Sequence, residues 1–312
     1  MATSTDNGLF PLYTTQFSTN LELLLQQKTS KLRGKVSEGM HVGKMASPIN
    51  QIGAVTLKAP AGRFAPKNRT DPQYTRRWVF PQEGEEDLLV DSFDELQTIV
   101  DPKSQLTAAA AASVARAWDD VIILQATATS QIGQDAASLT SETFTTASYQ
   151  VAANFGTGGG SANGLSVAKL IEARRILQHY HNDLDMDPPT AVIGSQQEAD
   201  LLSQVQVVST EFGDHPVLVD GRLRRFLGYD IVVSERLPQT TVGTTRGVLI
   251  FVKTGVYLGM WKDMTSRISI RNDLSGEPYD LYVQTMYGAT RTQLGKVIQV
   301  LCADTTGADI TP

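Results

Sequence analysis

The chain has 312 residues, with 27 Lys plus Arg against 33 Asp plus Glu, a formal charge of −6, 41% hydrophobic and 19% charged residues. That length allows two domains, or one with long excursions, and the apolar fraction excludes general disorder. The acidic balance argues against a nucleic-acid wrapper, the lone Cys302 excludes a disulfide framework or Cys-rich zinc module, and no apolar run is long enough to span a membrane.

Residues 1–12 are small and polar, without the charged start and apolar run of a secretory signal. Across 13–33, Tyr13, Phe17, Leu21, Leu24, Leu25 and Leu32 fall close to one stripe, which predicts a short amphipathic helix needing a surface to lie on. Residues 34–90 are punctuated by Gly and Pro, with strand-like pieces at Val55–Leu57, Phe64–Ala65 and Trp78–Phe80. Structureless loops this long are rare, so the stretch reads as a two-stranded excursion that finds its partner surface elsewhere.

Charge segregates here. Lys58, Arg63, Lys67, Arg69, Arg76 and Arg77 face one acid, Asp71, whereas Glu83, Glu85, Glu86, Asp87, Asp91, Asp94 and Glu95 include no base. Two solvated faces would explain this. So would a basic loop on one copy meeting an acidic surface on the next.

Residues 103–127 are Ala-rich and predict a long helix with a seam of Leu106, Ala110, Val114, Ala117, Val121 and Leu124. Arg116 stands at ion-pair spacing from Asp119 and Asp120. Residues 128–163 read as loop with strands around 142–152, and a helix is expected near 165–181. A strand at 190–194 leads to a helix capped by Ser195, with Glu198 in capping-box position. Strands are expected at 229–234, 247–252, 255–261, 266–271 and 279–303. Helices and strands mix without βαβ alternation, which makes the class α+β.

Chemical motifs are incomplete. The glycines at 156–160 precede a helix but lack the Gly-Lys-Ser/Thr of a phosphate loop and fail the dinucleotide fingerprint. His179, His181, Asp183, Asp185 and Asp187 suggest a calcium loop, yet Pro188 and Gly194 stand where its Gly and Glu belong. No Gly-x-Ser-x-Gly accompanies the four histidines, and Cys302 sits in an apolar strand as a core residue. Nothing here points to an enzyme or to a cofactor.

The ordered set of elements resembles the major capsid proteins of tailed bacteriophages, with the Hong Kong 97-type fold. RRWVFPQEGEEDLLVDSFDELQTIVDP at 76–102 is similar to the returning side of their extended loop, with Arg76, Arg77, Pro81, Asp91 and Asp94 of the expected types. AAASVARAWDDVII at 110–123 resembles their spine helix, with Arg116 and Asp120 as its ion pair. QFSTNLELLLQQKTSKLR at 16–33 resembles an N-terminal arm, and FLGYDIVVSERLP at 226–238 an axial-domain segment.

The resemblance implies an arm at 1–33, an extended β-hairpin loop at 34–90, a peripheral domain with spine helix at 91–150, an axial domain at 151–262 and return strands at 263–312. It implies a subunit that forms pentamers and hexamers, closing an icosahedral shell around double-stranded DNA contacted non-specifically. Assembly in the host cytoplasm follows, with portal and decoration proteins as further partners and no membrane. About a dozen residues precede the first helix, so a separate scaffolding protein is expected. Phe17, Leu21, Lys58, Arg63, Lys67, Arg69, Arg76, Arg77, Glu83, Glu85 and Glu86 are the candidate contacts between subunits. No feature marks Lys58 or Lys67 as a cross-linking residue. An encapsulin-like shell around protein cargo, or another virion part, are the rival readings.

Overall fold

The computed structural model describes residues 26–304, except 45, 54, 60–61, 64–65, 67–68, 70, 91–102, 136, 157–160, 205–217, 220–221, 242–244 and 276. Tyr13, Phe17, Leu21, Lys67, Asp91 and Asp94 therefore lie outside the described residues.

Strands β1 (Ser37–Met40), β2 (Ala46–Ile52), β3 (Tyr74–Val79) and β4 (Gln82–Val90) come first. Helix α1 (Lys103–Thr127) follows, then β5 (Ser130–Ile132), β6 (Thr140–Glu142), the single turn α2 (Thr146–Tyr149) and β7 (Gln150–Val151). Next come α3 (Val167–His179), β8 (Pro189–Ile193) and α4 (Ser195–Leu202). The remainder is strand: β9 (Leu218–Val219), β10 (Arg222–Leu223), β11 (Arg225–Phe226), β12 (Tyr229–Val233), β13 (Gln239–Thr241), β14 (Thr245–Val252), β15 (Val256–Ile270), β16 (Tyr279–Arg291) and β17 (Val297–Ala303).

The β8 and β14 strands are almost continuously apolar because both of their faces are covered. They sit inside a mixed sheet ordered β11-β12-β8-β14-β17-β7, with β13 beside β14. Alternation sends Ala191, Ile193, Val248 and Ile250 towards Leu170, Ala173 and Leu177 of α3 and Leu201 of α4. The intervening Val192, Leu249 and Phe251 join the other core, with Trp118 and Ile122 of α1. That second core also holds Leu281, Val283, Tyr287 and Ala289 of β16, in a four-stranded sheet ordered β1-β15-β16-β4. A third sheet, β2-β3-β5-β6, stands beside it. The α+β class holds.

The buried face of α1 is wider than the expected seam. Ala112, Ala115, Trp118, Asp119, Ile122, Ile123 and Ala126 are buried in addition, while Leu124 is 58% exposed. The reason is that α1 is covered on two sides, by β16 and by the segment that precedes β1. This segment also overturns the expected helix at 13–33 as far as it is described. Residues 26–32 are irregular, and only Arg33–Lys35 makes a 3-10 turn.

Asp119 supplies the physical cause. Its carboxylate is fully buried and accepts from Gln27 Nε2 at 2.5 Å, Ser30 Oγ at 2.5 Å, Lys31 N at 3.0 Å and Leu32 N at 3.2 Å. Backbone N–H groups spent on a carboxylate are unavailable to a helix. Leu32 and Val36 drop into the core beside it. The Arg33 guanidinium lies 4.5 Å from the Trp118 ring centroid and forks onto Asp263 at 3.2 Å. Lys31 Nζ donates to Val233 O at 2.7 Å, and Lys35 Nζ meets Asp230 at 3.2 Å. One ten-residue stretch thus binds α1, β12 and β15 together.

Smaller corrections concern register. Gly194, not Ser195, precedes the first turn of α4, and Gln197 Oε1 closes back on its N–H at 3.2 Å. The expected strands at 255–261 and 266–271 are one strand, β15, and 279–303 divides into β16 and β17 around Leu294–Lys296. Val55–Leu57 is not a strand.

Replacing Asp119 by Ala leaves four donors facing an apolar interior. A loss of about 3–5 kcal/mol is expected, measured by denaturant unfolding, with Asp119→Asn losing less.

Candidate functional site

Strands β2 and β3 form an antiparallel hairpin, paired from Ala46 with Val79 to Ile52 with Tyr74. Its root does not await a partner from elsewhere. Arg77 and Trp78 of β3 pair with Ile132 and Gln131 of β5. Gly133 N donates to Arg76 O at 3.2 Å, and Trp78 Nε1 donates to Gly133 O at 3.2 Å. The chain then turns through Phe80 into β4, whose partner is β16. At Gly288 of β16 a Cβ would sit 2.2 Å from Phe80 O, so only glycine admits this close crossing.

Two buried guanidinium groups lock the root. Arg77 is 6% exposed and forks onto Glu142 of β6, with Nη2 to Oε1 at 3.1 Å. Arg291, fully buried, donates to Ala126 O at 3.0 Å, Ala128 O at 2.8 Å and Glu142 O at 3.2 Å. It also lies 5.4 Å from the Phe144 ring centroid. Burial pulls Arg291 down to about 10, partly opposed by the nearby Glu142 charge. Two of its three carbonyl partners, Ala126 O and Ala128 O, lie at the C-terminal end of α1, where carbonyls lack helical partners, and the third, Glu142 O, ties that end to β6. Arg77 is therefore an internal brace, which corrects its reading as a contact between subunits.

The other candidate contacts divide. Lys58, Arg63, Arg69 and Arg76 are exposed, with Arg69 paired to Asp71 at 3.0 Å and Arg76 Nη1 donating to Gln134 O at 3.3 Å. Ile52, Val55, Leu57 and Tyr74 are exposed with them, so the outer hairpin presents apolar and basic groups together. On β4, Glu83, Glu85 and Asp87 line the exposed face. Tyr282 Oη donates to Glu85 at 2.9 Å, and the neighbouring Asp280 carboxyl holds Asp87 above its ordinary carboxylate range. Glu86 points the other way and accepts from Ser113 Oγ of α1 at 2.6 Å, so it braces the subunit's own helix.

The expected Arg116–Asp120 pair is not made. Arg116 Nη1 donates to Gln26 Oε1 at 2.7 Å and to Gln27 O at 3.2 Å, while Asp120 pairs with Arg236. Tertiary partners have claimed both ends. Glu142 and Arg291 are brace residues the sequence did not single out, and Asp119, read only for its spacing from Arg116, serves instead to hold residues 27–32.

The other sequence motifs resolve into structure. Asp183 Oδ1 accepts from Asp185 N at 3.2 Å, and Asp187 accepts from Lys253 N at 3.1 Å and Thr254 N at 3.2 Å. These carboxylates cap turns. Among the described residues no group of three or more His, Cys, Asp or Glu is arranged to hold a metal. Gly158, Gly159 and Gly160 lie outside the described residues, but the chain on either side of them is gripped by Lys169. Its buried Nζ donates to Ala153 O at 2.9 Å, Asn163 O at 2.8 Å and Leu301 O at 2.9 Å. Cys302 is buried, which pushes its thiol up to about 12 and leaves it without thiolate character.

Replacing Arg77 by Ala strands the Glu142 carboxylate. Stability should fall by about 3–5 kcal/mol in denaturant unfolding, with faster proteolysis of the outer hairpin than in Glu142→Gln.

A family model described as phage capsid protein matches residues 11–304. A comparison with curated protein sequences returns no significant match. Among solved structures, the capsid structure of the cyanophage P-SCSP1u superposes with a TM-score of 0.73 at 15% identity, covering 97% of both chains. The cyanophage Pam1 capsid asymmetric unit gives 0.69 at 11% identity, covering 94% of this chain and 97% of that one. The Mycobacterium phage Che8 structure gives 0.64 at 16% identity, covering 95% and 98%. These identities establish a shared fold. The family match, spanning nearly the whole chain, establishes that this protein belongs to the phage capsid protein family: it is a structural subunit of a bacteriophage virion, not an enzyme.

Proposed function

We propose that this capsid subunit assembles as pentamers and hexamers into an icosahedral shell around packaged double-stranded DNA, in the cytoplasm of the host. The observation that carries this reading is the outer hairpin. Ile52, Val55, Leu57 and Tyr74 are exposed beside Lys58, Arg63, Arg69 and Arg76, on an element joined to the body by the pairing of β3 with β5 and by Gln51 Nε2, which donates to Thr292 O at 3.0 Å. Exposed apolar groups rimmed by charge mark a contact surface. The same chain carries the complement, the acidic face of β4 with Glu83 and Glu85. The hairpin of one copy lies over the acidic surface of the next.

In this reading residues 1–33 act as an arm, with Phe17 and Leu21 as its apolar contacts, and Lys67 belongs to the basic loop. Residues 34–90 are the extended loop, 91–150 the peripheral domain with α1 as spine, 151–262 the axial domain and 263–312 the return strands. Each exposed ion pair contributes only about 0–1 kcal/mol, but repetition around every subunit makes weak contacts decisive. The net charge of −6 suits a container that encloses DNA without adhering to it. A separate scaffolding protein, a portal and decoration proteins are the further partners.

Negative-stain electron microscopy of the protein, expressed with and without its neighbouring genes, tests the reading. Closed shells, or capsomers that close when a partner is added, are expected; a monomer under all conditions overturns it. DNA inside the particles is expected, and an enclosed enzyme would instead support an encapsulin-like role. Reversing Arg63 and Arg76 together to Glu should lower shell yield several-fold and weaken its salt dependence, read by sedimentation. Unchanged yield would remove the charge-complementarity element.

A further inference from the structure

Among the described residues, the sheet ordered β1-β15-β16-β4 is open along most of both edges. Strand β15 has 15 residues, but β1 pairs with only Tyr257–Met260. Register shifts occupy the stretch from Met260 to Thr265, after which Thr265–Ile270 runs in unbroken register with β16. The far side of this stretch has no strand partner among the described residues. On the opposite edge, β4 pairs with β16 in unbroken register from Gln82 to Val90, and among the described residues nothing pairs with its far side. Long unpaired edges are templates for another chain, and soluble proteins ordinarily blunt them.

The two edges complement one another on both faces. On the outer face β4 carries Glu83, Glu85 and Asp87, whereas the corresponding rows of β15 carry Lys262 and Arg267. On the inner face β4 carries Leu88 and Val90, and β15 carries Ile268 and Ile270, which are 54% and 51% exposed. Ile268 and Val90 already line one apolar notch with Leu106, Tyr279 and Leu281. Pairing two β4 edges would set acids against acids, which is unfavourable for directly opposed residues. Pairing β4 with β15 opposes acid to base on one face and apolar to apolar on the other.

We propose that the β4 edge of one copy pairs with the Thr265–Ile270 edge of a second copy, continuing the sheet between subunits. The proposal rests on the shell reading. The contact is heterologous, because different edges meet, so a closed ring of copies uses every edge but leaves none free. It differs from the hairpin contact in using the backbone of β4, while both draw on the acidic face with Glu83 and Glu85.

Hydrogen exchange measured on unassembled subunits and on assembled shells tests the backbone pairing. The amides of 82–90 and 265–270 that face away from β16 should slow by about tenfold or more on assembly, while those of β16, paired on both sides already, serve as the reference. Shells in which either edge stays fast overturn the edge contact and leave the shell reading intact. Outward-facing amides of either edge already protected in the unassembled subunit are covered by its own chain, and that also overturns it. The second measurement is a charge exchange. Glu85→Lys with Asp87→Lys should abolish shells while leaving the exposed-surface variant folded by circular dichroism. Adding Lys262→Glu and Arg267→Glu should restore them. Restoration by Arg63→Glu and Arg76→Glu instead, or by neither pair, overturns the proposal.

Discussion

A carboxylate inside a protein must be given donors, and Asp119 obtains four of them from residues 27–32. That requirement determines how the chain enters its body. It pulls the entering segment out of helical geometry, lowers Leu32 and Val36 into the core, and sets Arg33 between Trp118 and Asp263. The same ten residues reach β12 through Lys31 and Lys35. The core that holds α1 and the mixed sheet it shares with the second core are thereby tied together. Ridges of a long helix alone would permit sliding; a set of directional bonds to three elements does not.

The second constraint is the root of the hairpin. A two-stranded ribbon is marginal in water, and this one is stabilised where it leaves the body by Arg77 on Glu142 and by Arg291 beneath both. The guanidinium geometry suits the task, since one planar group satisfies several carbonyls at fixed angles. The result is a stiff base carrying an outer part whose apolar and basic side chains are exposed. Stability is concentrated where the chain meets itself, and contact surface is left where it meets others.

The subunit is in this sense deliberately incomplete. The outer hairpin, the acidic face of β4 and the open edges of its sheet all leave favourable contacts unmade. None of these contacts is strong when exposed to solvent. A shell built from weak repeated contacts corrects errors during growth, because a misplaced subunit leaves before its neighbours lock it in.

Local signals in the sequence determined the helices α1 and α3, the apolar strands β8 and β14 and the core position of Cys302; of the excursion read at 34–90, the described two-stranded ribbon is 46–79, while β1 and β4 on either side of it pair with β15 and β16. Alanine propensity, periodicity and Gly/Pro punctuation each act within a few residues, so they survive without knowledge of the fold. The segregation of charge between 58–77 and 83–95 was equally legible, and so was the absence of a complete catalytic motif. Only the tertiary structure decided the partners of each charge. Arg116 and Asp120 have ideal helical spacing, yet Gln26 and Arg236 reach them first. Arg77 and Arg76 are neighbours of the same type, but strand alternation buries one against Glu142 and leaves the other in water. Residues 26–32 continue a helical pattern that the buried Asp119 overrides. In each case the deciding partner is distant in sequence, and a hydrogen bond formed in the interior outweighs a propensity worth a fraction of it.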